Sequence, residues 1–448
     1  MQHAHRLTRL SALALGIAGA LAFGQVQASG FQLKENSVKS MGSAFAGSGV
    51  KTGDTSVVVN NPATMTQFEG TTVQADVTVI DLNYEFQGSG TDALGQPLTG
   101  SNGGNAGDVT PVPALSIVHK LDNGLALGAM VSAPFGLKTE YEAGWVGRYF
   151  AQTSDVKVVD MTFSAALDII PDHLSVGVGA IYSTADVTLS KAVDFGTLLF
   201  ANPATRPLPF ARPQARDGFV EVQGDDSGFG WLAGVNLRPN DRFSIGLSYR
   251  SEIDYGLTGD ADWTVPQDVA AVFGASPMTS PLFQDGGVTA QLTTPSITSV
   301  AATFDVTDRF MVMATWAETG WSSLREVRIN FDNPDPDAVE PFEWEDTVFA
   351  SVGAEYKLND AWTLRGGVAS DETPTSIEHR TPRLPDDDRL WYSIGATWQV
   401  SPALDVNLAY TRIEPDDPKV DIASGGSRLT GPFDGNANLF GVSAQYRF

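Results

Sequence analysis

The 448-residue sequence contains no cysteine. That absence removes thiol catalysis, cysteine-type zinc sites, disulfides and lipid attachment at an N-terminal cysteine. Histidine is scarce, with 5 in all. Positive charge is also scarce: 28 Lys and Arg stand against 53 Asp and Glu, for a net charge of -25. Nucleic acid is therefore no partner, because phosphate binding needs a basic surface. No stretch beyond the N-terminus offers the roughly 18 consecutive apolar residues of a spanning helix. No glycine loop of the nucleotide-binding kind is present, and no cofactor is implied. What is present is ordinary hydrophobic content, 42%, with 45 glycines.

Residues 1–28 read as a secretory signal peptide. Arg6 and Arg9 are followed by an apolar run from about Leu10 to Phe23, then "GQVQA" ending at Ala28. A basic start, a short apolar stretch and a small residue at the cut are the marks of an export signal. Cleavage at Ala28 would start the mature chain at Ser29.

From about residue 70 the chain alternates with a period of two. "LSVGVGAIY" puts Leu174, Val176, Val178, Ala180 and Tyr182 on one face; "LWYSIGATWQV" does so with Leu390, Tyr392, Ile394, Ala396, Trp398 and Val400. The chain closes with Phe440, Val442, Ala444, Tyr446 and Phe448 on one side and Gly441, Ser443, Gln445 and Arg447 on the other. Apolar residues toward lipid, small or polar ones toward the lumen and aromatics near strand ends are the pattern of a membrane β-barrel. Connections come in two sizes. Tight turns such as "LDNGL", "IPDHL", "RPNDRF", "VTDRF", "LNDAW" and "VSPAL" alternate with long polar loops at about 87–109, 138–153, 190–226, 257–287, 331–344, 372–388 and 415–434. Six tight turns join twelve strands, and one strand at each end gives 14. The expectation is an all-β, 14-stranded antiparallel transmembrane barrel over 71–448, in the bacterial outer membrane. Residues 29–70 lack the pattern, and a barrel this wide needs filling. They are expected to be a small N-terminal hatch.

The chain resembles the FadL-type outer-membrane transporters of long-chain fatty acids and other hydrophobic compounds. The resemblance rests on "SGFQL" at 29–33, "NNPA" at 60–63, "APFGLKTEY" at 133–141, "YRSEIDY" at 249–255 and "PDDDRLWYSIG" at 385–395, taken in order. It implies a hatch at 29–70, a ligand pocket lined by Phe31, gating motion around Asn61, Pro62 and Ala63, and lateral exit through a kinked third strand.

The residues support parts of that picture. Pro134 cannot donate to a ladder and Gly136 weakens one, so the stretch around Phe135 should kink or bulge. Two loops carry apolar residues suited to a surface groove: Phe195, Leu198, Leu199 and Phe200 in one, Trp263, Val265, Val269 and Phe273 in the other. Spacing in the second suggests a short amphipathic helix. A chain of about 14 carbons contributes roughly 10 kcal/mol on leaving water, so apolar stations suffice for capture. A fatty-acid carboxylate would want a cation, and Lys157, Arg250, Arg365 and Arg412 are candidates. The acidity instead favours a neutral aromatic or aliphatic hydrocarbon. Other expected partners are outer-membrane lipid, lipopolysaccharide and the barrel-assembly machinery. A general porin and an outer-membrane hydrolase are the remaining alternatives. The latter would draw on His379 and its acidic neighbours. The carboxylates of "FDNPDPDAVEPFEWED" lack EF-hand spacing, so no metal site is expected.

Overall fold

A computed structural model describes residues 30–448. The expected signal peptide and its cut at Ala28 lie outside the described residues. The wall has fourteen strands: β1 (Thr71–Phe86), β2 (Val109–Lys120), β3 (Ala126–Glu140), β4 (Thr153–Ile170), β5 (Leu174–Asp194), β6 (Asp217–Asn240), β7 (Phe243–Arg250 and Ile253–Thr264), β8 (Gly286–Thr294 and Ile297–Thr307), β9 (Phe310–Thr319 and Glu326–Phe331), β10 (Ala338–Pro341 and Thr347–Lys357), β11 (Trp362–Asp371), β12 (Arg389–Ser401), β13 (Leu404–Pro415) and β14 (Ser427–Arg447). Each pairs antiparallel with its sequence neighbours. β14 closes on β1 from Thr72↔Arg447 to Phe86↔Phe433. Closure leaves no free edge in lipid, which a spanning sheet requires.

The closing strand shows why alternation was informative. Phe440, Val442, Tyr446 and Phe448 face outward, while Ser443 and Gln445 are buried inside. The same division runs around the wall, with Phe229, Val178, Phe163 and Ile394 among the most exposed apolar side chains. Six tight connections, at 121–125, 171–173, 241–242, 308–309, 358–361 and 402–403, lie at one end with the C-terminus. The long loops lie at the other.

One expectation, the loop bounds, is corrected. Wall strands outrun the roughly ten residues that cross a bilayer: β5 has 21, β6 has 24 and β14 has 21. The loops read as 190–226 and 257–287 shrink to 195–216 and 265–285. Polar, glycine-rich sequence there continues the ladder above the apolar belt, because backbone pairing does not need apolar side chains once water is available.

Residues 30–69 fill the lumen and are almost entirely buried. Two short helices (Val38–Met41 and Val57–Asn60) and a 3-10 helix (Pro62–Gln67) carry the segment. Ser37 caps the first helix through Ser40 N–H, and Asn61 caps the third through Ala63 N–H. The wall admits this backbone where it carries glycine: a Cβ on Gly367 would strike the Ser43 carbonyl, and one on Gly234 would strike Asn61. Polar bonds complete the docking. Asp54 accepts from Ser37 and Ser40, and Val38 N–H donates to Asp76 of β1. Lys51 reaches Glu355 at 2.9 Å, which also accepts from Arg365 at 2.8 Å. Burial pulls the Lys51 ammonium down to about 8, Arg365 pulls the same way, and Glu355 opposes.

Candidate functional site

β3 departs from regular pairing at the expected stretch. Its register with β4 shifts between Ser132↔Asp160 and Phe135↔Val158, so one extra residue lies on β3. A bulge of one residue turns later side chains to the opposite face. Val131 points outward, whereas Phe135 is 0% exposed and points in.

The ladder to β2 stops at the same height. It runs from Lys120↔Ala126 to Leu115↔Val131 and goes no further. The β1–β2 ladder continues without interruption to Asp81↔Val109. Near the top the two strands rejoin: Glu140 N–H donates to the Ala106 carbonyl, and Lys138 meets Asp108 at 2.8 Å. The result is a window in the wall, bounded by β2 residues 109–114 and β3 residues 132–137.

Three prolines frame it. Lys120 N–H donates to Gly70, and Asp108 accepts from Leu82, so even-numbered residues of β2 turn their backbone groups toward β1. Odd-numbered ones face β3, and among them Pro111 and Pro113 have no N–H to offer. Pro134 stands on the other side. The sequence reading found Pro134 and missed the β2 pair. The signal was present, since two prolines at i and i+2 strip one edge of a strand and spare the other.

The hatch takes over the freed edge of β3. Gly136 N–H donates to the Phe31 carbonyl, and Leu33 N–H donates to the Pro134 carbonyl, both at 2.7 Å. Glu140, also even-numbered, donates toward β2, which fixes this edge as the one β2 leaves. Residues 31–33 thus stand in for β2 from inside. Without them those groups would be orphaned at membrane depth, which is costly.

Phe31 anchors this contact. Its ring lies 5.9 Å from Phe135, 4.8 Å from Trp321 and 5.7 Å from Trp344. Phe31, Pro134, Phe135 and Gly136 are therefore one site. Below it a cavity of about 120 Å³ is bordered by Gln32, Lys34, Asn60, Pro134, Asp160 and Arg250. Arg250 donates to Asp160 at 2.5 Å and lies 5.5 Å from the Phe135 ring. Above, apolar side chains continue through Tyr255, Leu257, Val288, Ala290 and Ile329. They reach an outer cavity of about 260 Å³ lined by Leu189, Val222, Trp263, Phe283 and Phe331. At its rim Lys191 and Arg383 share Glu340, at 3.7 and 3.8 Å.

Asn61, Pro62 and Ala63 sit elsewhere, against β5–β7. Asn61 donates to the Val235 carbonyl, and Pro62 and Ala63 lie over Gly177. They connect to the Phe31 region through Asn60, which bonds Asn36 at 3.1 Å. In the loops Phe195, Leu199 and Val269 are buried together, with Trp263, Val265 and Phe273 packed against them. Leu198 is exposed, and Phe200 turns to Arg206. The expected helix forms at Gln267–Gly274, and a second forms at Phe195–Ala201. Lys157 bonds Asp155, Arg365 bonds Glu355, and Arg412 faces outward beside Glu414.

A plugged outer-membrane barrel with a side window and an apolar interior is a channel for hydrophobic solutes. A family model described as "Outer membrane protein transport protein (OMPP1/FadL/TodX)" matches residues 19–448, and the chain belongs to that family. It is 29% identical to outer membrane protein P1 of Haemophilus influenzae, covering 97% of this chain and 98% of the relative. It is 26% identical to a long-chain fatty acid transport protein of Escherichia coli, with the same coverage. The structure of a Pseudomonas aeruginosa FadL homologue superposes with a TM-score of 0.87 at 26% identity, covering 93% of this chain and 99% of that one. The Pseudomonas putida toluene transporter TodX shares the fold at TM-score 0.66 and 17% identity, over 88% and 94%. The chain is an outer-membrane transporter of hydrophobic compounds, not an enzyme.

Proposed function

We propose that this protein takes up long-chain fatty acids and releases them sideways into the outer membrane. The observation that carries the reading is the continuous apolar lining from the outer cavity to the Phe31 cluster, which abuts the unpaired stretch of β2 and β3. An acyl chain gains about 0.8 kcal/mol per methylene along such a lining. The apolar loop cluster around Phe195 and Val269 collects it from the surface. Lys191 and Arg383 share Glu340 at the rim of a cavity that Asp335 and Asp337 also line, with Asp337 held by Arg328, and Lys191 and Arg383 offer the fatty-acid head its partners.

In the resting state Phe31, Trp321 and Phe135 fill the way to the window. Passage requires the Phe31 ring to leave its neighbours, and residues 31–33 then slide off the β3 edge. Asn60 and Asn36 link that movement to the Asn61–Ala63 turn. Lateral release suits an amphiphile whose tail stays in lipid.

Neutral hydrocarbons form a second reading, favoured by the net charge of -25 and the aromatic rim of Trp263, Phe283 and Phe331. Uptake of labelled oleate by cells lacking their own fatty-acid channel tests the first reading. Oleate accumulation that toluene fails to reduce supports it. Toluene uptake without oleate uptake would replace it with the second.

A further inference from the structure

We propose that the lipid-facing wall of β8–β13 holds one anionic membrane lipid, with its acyl chain along an apolar trough and its head at Arg412. The trough follows one ladder row, Ala302↔Ala314↔Val352↔Val368↔Tyr392↔Arg412. Two connected hollows of about 890 and 540 Å³ share that row up to Tyr392. Their lining is almost wholly apolar, floored by Ala302, Ala314 and Gly366 and rimmed by Phe304, Trp316 and Ile394. Five strand spacings of about 4.8 Å make the row roughly 24 Å long, and with strands tilted about 40° it drops roughly 15 Å, about half of the hydrocarbon layer. Because barrel strands tilt, a row across them descends through the leaflet.

Charge settles which occupant fits. Arg412 closes the row, held by Glu414 at 3.3 Å, Asn436 at 2.9 Å and Asn438 at 3.1 Å. Its Nη2 makes no hydrogen bond to the described residues, and Arg412 borders the larger hollow. A long apolar slot ending in a guanidinium complements a phosphate-headed acyl lipid. It lies across the wall from the β2–β3 window and takes no part in the transport route.

Native mass spectrometry of the delipidated protein with dioleoyl phosphatidic acid, and separately with dioleoylglycerol, tests this. The wild type should retain one phosphatidic acid. Ala314→Trp fills the floor and should weaken both lipids about tenfold, equivalent to roughly two methylenes of lost burial. Arg412→Gln should weaken phosphatidic acid about fivefold, the effect of one cation near an anionic lipid, and leave dioleoylglycerol unchanged. Heat-shifted gel mobility confirms closure of each barrel, with Ala302→Phe in reserve should Ala314→Trp not close. Equal retention in all three proteins would overturn the proposal. So would a two-chain mass in the wild type that Ala314→Trp abolishes, since the trough would then seat a second copy.

Discussion

At the scale of single residues, Phe31 does two things. Its ring closes the apolar route, and its carbonyl caps Gly136. Phe31→Ala should cost the docked hatch about 3 kcal/mol, the usual loss on truncating a buried aromatic. Hydrogen exchange over residues 30–50 should speed up, while the wall strands keep their protection. Glu35 gives a second residue-level prediction. It is buried, and desolvation pushes its carboxyl up to about 7, with its own backbone hydrogen bond, Lys34 and Arg389 only partly opposing. A carboxyl raised in the docked state and ordinary in the released one binds the extra proton when docked. Docking is therefore strongest below the ordinary carboxylate range and weakens as pH rises to about 7, by up to roughly 3 kcal/mol. Lys51, lowered to about 8, changes charge only above that window. Hatch protection factors, taken against the intrinsic base-catalysed exchange rate at each pH, should fall between pH 5 and pH 7.5, and Glu35→Gln should flatten that fall.

At the scale of elements, the window is a property of two strands and a borrowed third. β3 supplies the bulge, β2 an edge stripped by Pro111 and Pro113, and hatch residues 31–33 the temporary partner. Changing Pro111→Val and Pro113→Val together returns two donors to the β2 edge. The ladder should extend toward β3, amide protection should appear at both positions, and oleate uptake should fall several-fold with the barrel intact. These elements also mark how far the sequence could be read. Strand number and the β3 irregularity were legible, because side-chain period and proline act locally. The path of the hatch was not. Whether Asn61 meets β6 or β3 depends on glycines far away in sequence, such as Gly234 and Gly246. The aromatic cluster was illegible for a similar reason. Phe31, Phe135, Trp321 and Trp344 come from the hatch, wall strand β3 and the breaks within β9 and β10, and no local pattern assembles them. The loop boundaries failed because polar sequence above the membrane can be strand or loop, and only pairing decides.

At the scale of the whole molecule, a closed wall and a docked plug must coexist with an open side. The Lys51–Glu355–Arg365 ion group fixes the plug far from the window. Removing the middle charge leaves two cations with 2% exposed side chains facing each other, and breaking a buried pair costs about 3–5 kcal/mol. Glu355→Gln should therefore loosen the whole hatch and raise steady conductance in planar bilayers, where the plugged wild type should pass little current. The central claim is that hydrophobic cargo leaves between β2 and β3. The lack of native cysteine allows a direct test. Pro113→Cys and Ala133→Cys, bridged by a short bismaleimide, would tie β2 to β3 and staple the window shut. Oleate uptake should be lost in the bridged protein and present in the same protein before bridging. Undiminished uptake through the stapled wall would contradict the account.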